Sequence, residues 1–269
     1  MIASKPRALV VGGAGAMGRW FDEFLESKGY AVLVLDPNAA PSRFPMETDL
    51  ARTADSYDLI LLATPIDATD RVLRELVGFQ RPLILDIASV KSPIGATLAA
   101  LAAAGQSVAS LHPMWGPDAT LLSDKNLLVL DCGNAQAAQR ARQLFEDTAV
   151  RIVDLPLAEH DRTMAYCLVL AHAVNIVFAR VLSGSGLPIE ELSRLGGPTF
   201  RNQARIAEGV SHENKEMYHL IQALNAHTPE LHHALADAMD ELSRAVGDRA
   251  AFVRLMAACE DYFGKEAPR

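Results

Sequence analysis

The sequence of 269 residues has little cysteine, and the three it has, Cys132, Cys167 and Cys259, are far apart. An odd number of scattered cysteines does not form a disulfide framework, and no Cys-x-x-Cys pair suggests a zinc site. We therefore expect reduced thiols in a reducing compartment, no metal site, and a cytoplasmic protein.

The sequence also lacks an excess of positive charge, since its formal net charge is −8. A protein that binds nucleic acid neutralises phosphates with a basic stripe of side chains, and no such stripe is present. This composition argues against a nucleic-acid partner. An anionic substrate would need a local group of cations, because the overall field opposes it.

Long apolar runs are absent as well. The first apolar run, residues 8–11, leads into glycines, so we interpret it as a strand and not as a signal peptide. The apolar segment 167–182 is interrupted by His172, Asn175 and Arg180, and is expected to be too polar and too short to cross a bilayer. No membrane association is predicted.

Short apolar runs do alternate with helical patterns through about residue 155. The predicted strands are 8–11, 31–35, 59–63, 83–87, 107–111, 126–130 and 151–153. This alternation predicts an α/β domain with a doubly wound parallel sheet and right-handed crossovers over residues 1–155.

No strand pattern follows residue 157. Apolar residues recur there at helical spacing, over 160–182, 189–195, 200–210, 216–225, 230–245 and 249–263. We predict an all-helical second domain over residues 156–269 that binds substrate and forms a homodimer, the dimer by analogy with similar two-domain proteins.

The glycine motif Gly13-x-Gly15-x-x-Gly18 joins the first strand to a helix. In the Rossmann dinucleotide fingerprint the first glycine permits the turn, the second admits the pyrophosphate, and the third lets helix and strand pack closely. Free N–H groups at the helix start, around Ala16 and Met17, would face the phosphates.

An acid ends the second strand. Asp36 lies 18 residues after Gly18, where a carboxylate accepts hydrogen bonds from ribose hydroxyls and repels the extra phosphate of NADP. The predicted cofactor is therefore NAD.

Ligands of open α/β sheets bind beyond the carboxyl ends of the strands. Three further segments lie there: Thr64-Pro65-Ile66, predicted to contact the cofactor, residues 86–91, and residues 112–118. The strand ends thus bring a serine, a lysine and a histidine toward the nicotinamide end of the cofactor.

Four motifs in order carry a more specific resemblance. They are Val11-Gly12-Gly13-x-Gly15-x-Met17-Gly18-Arg19, Leu85-Asp86-Ile87-Ala88-Ser89-Val90-Lys91, Leu111-His112-Pro113-Met114-Trp115-Gly116-Pro117-Asp118 and Glu159-His160-Asp161-x-x-Met164-Ala165. Together they resemble the prephenate dehydrogenase family of tyrosine biosynthesis. The chain is expected to be the stand-alone dehydrogenase core, without a chorismate mutase segment or an ACT domain.

The resemblance implies NAD-dependent oxidative decarboxylation of prephenate to 4-hydroxyphenylpyruvate. His112 matches the family's catalytic histidine and would accept the hydroxyl proton, a role that suits a group titrating near neutrality. Ser89 would orient the hydroxyl or His112, or cap the following helix. Lys91 would face either an anionic substrate group or the solvated first turn of that helix.

The helical domain would supply further substrate contacts. His172 matches a substrate-contacting histidine, and Arg205 matches the carboxylate-binding arginine, whose fork suits a bidentate contact. Arg201, one turn before Arg205, would either assist Arg205 in binding the carboxylate or be exposed to solvent. Two departures bear on this pocket: Val169 replaces a second histidine of one subgroup, and the chain carries about four extra residues, 211–214, after Arg205.

Other polar residues are assigned less specific roles. His160 and Asp161 are interpreted as a structural helix start, with the acid near the positive end of the dipole. The spacing of His227, His232 and His233 does not place all three on one helical face, so a surface role is favoured over a metal site. Trp115 would pack on the ligand or anchor its loop.

Several alternatives stay open. Arogenate and 4-amino-4-deoxyprephenate are alternative substrates. His112 suits a substrate with a hydroxyl at C4, which arogenate shares with prephenate; arogenate differs in the side chain, where an amine replaces the keto group. The β-hydroxyacid dehydrogenases need a lysine in the second domain's first long helix, but no lysine lies between Lys125 and Lys215. A non-catalytic NAD(H) sensor would not require Ser89, His112, His172 and Arg205 together.

Overall fold

A seven-stranded sheet forms the first part of the chain in the computed structural model, which describes residues 5–38 and 42–264. Part of the predicted 37–45 loop lies outside the described residues. The strands are β1 Arg7–Val11, β2 Ala31–Leu35, β3 Leu59–Leu62, β4 Leu83–Asp86, β5 Val108–Pro113, β6 Asn126–Asp131 and β7 Arg151–Asp154. Their order in the sheet is β2-β1-β3-β4-β5-β6-β7.

The first five strands are parallel, so their carboxyl ends share one edge of the sheet. Val11 pairs with Leu62, Leu62 pairs with Asp86, and Asp86 pairs with Ser110. His112 therefore extends two residues beyond this row, at the edge where open α/β sheets bind ligands.

Strand β6 runs antiparallel to β5, so the right-handed crossover predicted between these two strands is absent. A parallel connection needs a crossover, usually a helix, and residues 114–125 between these strands contain none. The connection instead folds back over α1, where Trp20 Nε1 donates to the Ala119 carbonyl at 2.8 Å.

Helices cover both faces of the sheet. They are α1 Ala16–Ser27, α2 Leu50–Thr53 with the 3₁₀ turn Ala54–Ser56, α3 Ile66–Glu75, α4 Gly95–Ala103 and α5 Ala135–Gln143. Leu9 and Ile60 pack in the core on one face, whereas Leu61 and Leu85 pack on the other. Burial on both faces explains why these strands are continuous apolar runs.

The rest of the described chain is helical, as predicted. The helices are α6 Leu157–Met164, a π-helical turn Ala165–Leu170, α7 Ala171–Ser183, α8 Ile189–Leu195, α9 Pro198–His212, α10 Lys215–Leu224, α11 Thr228–Ala245 and α12 Arg249–Phe263. Residues 211–214 complete the end of α9 and the turn into α10.

The first three of these segments form one helix, 157–183, of 27 residues. By length and composition alone it could cross a membrane, with a mean hydropathy of 1.8 in its most apolar stretch. The expectation that this segment is too short and too polar to cross a bilayer is therefore wrong by both criteria. Only 22% of that stretch is buried within the single chain.

Candidate active site

The glycine turn follows β1. Gly12, not Gly13, has the left-handed backbone conformation, with φ of +85°, and a Cβ there would lie 2.6 Å from the Ala63 carbonyl oxygen. The predicted role of Gly13 as the turn glycine is therefore wrong. A Cβ on Gly13 would instead lie 2.6 Å from Cγ1 of Val34, so this position needs glycine because a side chain of β2 fills the space.

The start of α1 has the geometry of a phosphate site. A Cβ on Gly18 would lie 2.2 Å from the Gly12 carbonyl oxygen, which matches the close packing predicted for the third glycine. Gly15 is the N-cap and provides no side-chain cap. Across the residues that the structure describes, the N–H groups of Ala16, Met17 and Gly18 have no hydrogen-bond partner. Such N–H groups attract an anion.

Asp36 lies beside this turn, directly after β2. Its Oδ2 accepts from Ala14 N at 3.0 Å, and its Oδ1 accepts from Asn38 N at 2.9 Å. The Arg19 guanidinium donates to the Ala14 carbonyl at 2.7 Å, so a cation is also held at the turn. Sequence reasoning missed Arg19, although its place directly after Gly18 in the first helical turn was a usable signal.

The segment after β3 adjoins the same turn. A Cβ on Gly12 would lie 3.0 Å from Thr64 N, and Pro65 is the N-cap of α3, which begins at Ile66. Thr64 Oγ1 is held 2.9 Å from Thr69 Oγ1. The structure thus places Thr64 next to the glycine turn, and Pro65 and Ile66 follow it there.

Asp161, His160 and His112 form a buried chain of hydrogen-bonded side chains, in that order. Nδ1 of His112 lies 2.9 Å from Nε2 of His160, and Nδ1 of His160 lies 2.6 Å from Oδ1 of Asp161. His112 is only 3% exposed and His160 is fully buried. The Nε2 of His112 makes no hydrogen bond within the described ranges. This atom is not completely buried but keeps a small exposed surface.

His160 and Asp161 were assigned a structural role at a helix start, with the acid near the positive end of the dipole. That reason is wrong. Asp161 does not cap α6 but accepts from Lys91 N at 2.8 Å, and from the backbone N and the hydroxyl of Ser92. The sequence did contain one sign that His160 faces the interior: it lies four residues before the apolar Met164, on the same helical face. In the structure both side chains are buried.

The titration of this chain of groups follows from burial. Burial, His160 and the Lys91 charge lower the pKa of His112 well below its ordinary value of 6.5. Burial likewise lowers the pKa of His160. Burial opposes ionisation of Asp161, but hydrogen bonds from His160, Ser92 and Lys91 N prevail and lower its pKa to about 2. At neutral pH both imidazoles are neutral and the carboxylate is charged.

Lys91 occupies neither of its two predicted positions. Its ammonium is 2% exposed and lies 2.6 Å from Oδ1 of Asp86 and 2.9 Å from the Leu111 carbonyl oxygen. The prediction that Lys91 binds substrate is therefore not supported, because its charge is already paired inside the protein. Breaking such a buried pair costs about 3–5 kcal/mol, so we assign Lys91 a structural role next to His112.

Ser89 and Trp115 follow β4 and β5, beyond the carboxyl ends of these strands. Ser89 does not cap α4, whose N-cap is Ile94, and its hydroxyl makes no hydrogen bond to His112. Ser89 is half-buried and so remains a candidate for contacting a ligand. The ring of Trp115 packs on Trp20 with centroids 5.6 Å apart, which anchors the loop after β5.

The helical half carries the other predicted residues. His172 on α7 stacks on Tyr218 of α10 with ring centroids 4.1 Å apart, and its Nδ1 is buried without a partner. Burial lowers the pKa of His172. Arg205 on α9 is exposed and makes no salt bridge or hydrogen bond in the described part of the chain, whereas Arg201 donates to the Gly196 carbonyl at 2.6 Å.

A polar contact fixes the position of α9 on α7. Asn175 is buried, accepts from Gln203 Nε2 at 2.8 Å, and donates to the Ala171 carbonyl at 2.8 Å. Asn175 lies about one turn after His172, and Gln203 lies two residues before Arg205. The packing of α7 with α9 therefore sets the relative position of these two predicted substrate contacts.

The three clustered histidines lie at the α10–α11 turn. His232 Nε2 lies 2.9 Å from Oε1 of Gln222, and His227 is the residue before α11. Within residues 5–38 and 42–264, no group of three or more histidine, cysteine or acidic side chains is arranged to hold a metal ion.

Two models of known protein families together match most of the chain. A model described as "Prephenate dehydrogenase, nucleotide-binding domain" matches residues 42–154, and one described as "Prephenate dehydrogenase, dimerization domain" matches residues 156–258. The two matches meet at the point where strands give way to helices.

Individual proteins agree with this match. The chain is 25% identical over 97% of its length to a Methanocaldococcus jannaschii protein named "Probable arogenate/prephenate dehydrogenase", and spans 61% of that protein. It is 28% identical over 96% of its length to the 4-amino-4-deoxyprephenate dehydrogenase of Streptomyces pristinaespiralis, and spans 92% of it.

A solved structure shares the fold. Prephenate dehydrogenase from A. aeolicus, in complex with hydroxyphenyl propionate and NAD+, superposes with a TM-score of 0.73 at 18% identity, over 97% of each chain. The predicted fold class, a doubly wound sheet followed by a helical domain, is confirmed. With both family models covering the chain from residue 42 to residue 258, this protein belongs to the prephenate dehydrogenase family.

Proposed function

We propose that this chain catalyses the NAD-dependent oxidative decarboxylation of prephenate to 4-hydroxyphenylpyruvate. The observation that carries the proposal is His112, a neutral histidine at the carboxyl edge of the sheet whose Nε2 has no partner in the described residues. Family membership narrows the substrate to prephenate or a close analogue.

The residues around the glycine turn fit NAD. The N–H groups of Ala16, Met17 and Gly18 would hold the pyrophosphate, with Arg19 beside them, and the close contacts of Gly18 with Gly12 keep a side chain out of this space. Asp36 would accept hydrogen bonds from the ribose hydroxyls. When bound, NAD+ supplies the hydride acceptor for C4 of the substrate.

His112 would manage the proton of the substrate hydroxyl. As the hydride leaves C4, Nε2 of His112 takes the hydroxyl proton, so that a carbonyl forms at C4. The ring carboxylate then leaves as carbon dioxide, and its electron pair makes the ring aromatic and places negative charge on the C4 oxygen. His112 can return its proton to that oxygen, which leaves the base neutral for the next turnover.

Cations and polar groups of the helical half would hold the substrate's two carboxylates. Arg205 is the main candidate, because its guanidinium is exposed and has no partner among the described residues. His172, with an unpartnered buried Nδ1, is the second. Arg201 is already engaged by the Gly196 carbonyl, so we assign it an assisting role. Ser89 would contact the substrate hydroxyl.

Arogenate and 4-amino-4-deoxyprephenate remain alternative substrates, since relatives named for each chemistry match this chain. The purified protein is offered each compound and prephenate in turn, with NAD+ or NADP+, while the absorbance of reduced nicotinamide is followed. We expect the highest kcat/KM with prephenate and NAD+. A preference for another compound would reassign the substrate, and no turnover with any would favour an NAD(H)-sensing protein.

We also propose a homodimer formed through the helical half. Neither α8 nor α12 has a buried residue in the single chain, and exposed apolar side chains on α7 and α12 include Val177, Val181, Phe252 and Met256. A second copy would cover these faces, including the apolar helix 157–183, which a monomer leaves exposed to water. The matched dimerization-domain model supports the same partner.

Sedimentation equilibrium of the purified protein without detergent tests the dimer, with about twice the 29.0 kDa chain mass as the expected result. A monodisperse monomer would contradict it. The domain division at residues 155 and 156 and a cytoplasmic location, which the free cysteines favour, remain proposals.

A further inference from the structure

The positions of the protons along His112, His160 and Asp161 can be deduced from their partners. The charged carboxylate of Asp161 can only accept, so Nδ1 of His160 donates to it. A neutral imidazole has one N–H, and Nε2 of His160 is therefore an acceptor. Nδ1 of His112 must then be the donor across the 2.9 Å contact, and Nε2 of His112 has no proton.

Asp161 is well placed to impose this order. Its two carboxylate oxygens accept from Lys91 N, Ser92 N and the Ser92 hydroxyl, all in the loop between β4 and α4. Four donors, counting His160, surround one carboxylate that is 10% exposed. A carboxylate with this many donors stays ionised and cannot rotate to offer a different face to His160.

We infer that His160 and Asp161 are positioning residues, which hold His112 as the tautomer with Nδ1 protonated and so leave Nε2 to accept the substrate proton. The inference rests on the proposed function for its kinetic consequence, but the tautomer itself is a property of the protein without substrate. The arrangement follows the general logic by which a base is oriented by a second group and that group by a carboxylate.

The same chain of groups stabilises the charge that forms on His112 during turnover. Four ionisable groups surround it: His160 and Asp161 on α6, and the Lys91–Asp86 pair on the β4 side. Lys91 disfavours a second positive charge, whereas Asp161 favours it through the intervening imidazole. Nε2 of His160 can accept a stronger hydrogen bond once His112 is cationic, which lowers the cost of proton uptake.

The first test is nitrogen NMR of the protein with labelled histidine, with His112→Asn used to assign the resonances. In the wild type we expect Nδ1 of His112 to bear the proton and Nε2 to give the shift of an unprotonated ring nitrogen. A wild-type His112 protonated on Nε2 at neutral pH would overturn the inference, whatever the behaviour of any variant.

Two substitutions of His160 then separate orientation from packing. His160→Phe fills the space but removes the acceptor, so His112 loses its fixed tautomer and kcat falls by about 10–100-fold with KM little changed. His160→Gln can place its side-chain oxygen where Nε2 was, so both the tautomer and most of kcat return. Equal losses in both variants with an unchanged tautomer would show a structural role only and would contradict the inference.

Asn225→Ala provides the matched control. Asn225 is buried and donates to the backbone carbonyl of Asp161 at 2.9 Å, so its removal disturbs the same region without touching the hydrogen-bonded side chains. We expect a lower Tm with the tautomer and kcat preserved; loss of the tautomer here would overturn the inference. A wild type with the expected tautomer but no turnover of any offered substrate would overturn the proposed function alone.

Discussion

His112→Asn lowers kcat for prephenate by about 10²–10⁴-fold, the range for loss of a general base. The asparagine amide can take the place of Nδ1 and donate to His160, so the buried chain of hydrogen bonds is retained. What is lost is Nε2, the atom without a partner in the described residues. The affinity for NAD+ is unchanged, because His112 is separate from the glycine turn.

The measurement pairs steady-state kinetics with a fluorescence titration of NAD+. The wild-type profile of kcat/KM stays flat on lowering the pH through 6.5, because burial lowers the pKa of His112 well below that value. A kcat of the His112→Asn variant equal to that of the wild type would remove this residue from the mechanism.

Arg205→Ala raises the KM for prephenate by about 10–100-fold, which corresponds to loss of one charge-assisted contact with a carboxylate. Arg205 is exposed on α9 and makes no salt bridge within the described ranges, so truncation leaves no buried partner behind. The affinity for NAD+ stays the same, and the loss is confined to the substrate.

Arg244→Ala is the matched control, since it removes another exposed arginine of the helical half, on α11, which is not among the helices proposed to form the dimer contact. Its KM should equal that of the wild type. If Arg205→Ala weakens NAD+ instead, or if both variants raise KM equally, then Arg205 does not bind the substrate carboxylate as proposed.

The sheet could be predicted from sequence because its strands are buried on both faces. Runs such as residues 31–35 and 59–63 contain no polar residue, and their observed ends differ from the prediction by at most one residue. Parallel strands also share a carboxyl edge by geometry, which is why sequence alone assigns the glycine turn, Thr64 and His112 to the same edge of the sheet.

The hydrogen bonds of His112, His160 and Asp161 could not be predicted from sequence, because most of them join residues that are distant along the chain. His112 and His160 are 48 residues apart, and Asp161 lies 70 residues from the Lys91 N–H that it accepts. Local rules therefore assigned Asp161 to the dipole of its own helix, although its donors come from another loop. Lys91 was misassigned for a different reason: its counterion Asp86 is only five residues away, but in sequence Asp86 was interpreted simply as part of a buried strand.

The glycine with the left-handed backbone conformation was also not predicted correctly from sequence. The fingerprint spacing identified Gly13, Gly15 and Gly18, but the left-handed conformation falls on Gly12, where a Cβ would also meet the Ala63 carbonyl oxygen just after β3. Spacing alone identifies the motif but not which glycine makes the turn.

A crystal structure of the protein with NAD+ and 4-hydroxyphenylpyruvate tests the central claim most directly. The account predicts the product hydroxyl within about 2.6–3.2 Å of Nε2 of His112, the hydrogen-bond range for a catalytic base, with a carboxylate of the product on Arg205. A product hydroxyl bound out of reach of this imidazole, with Arg205 turned to solvent, would contradict it.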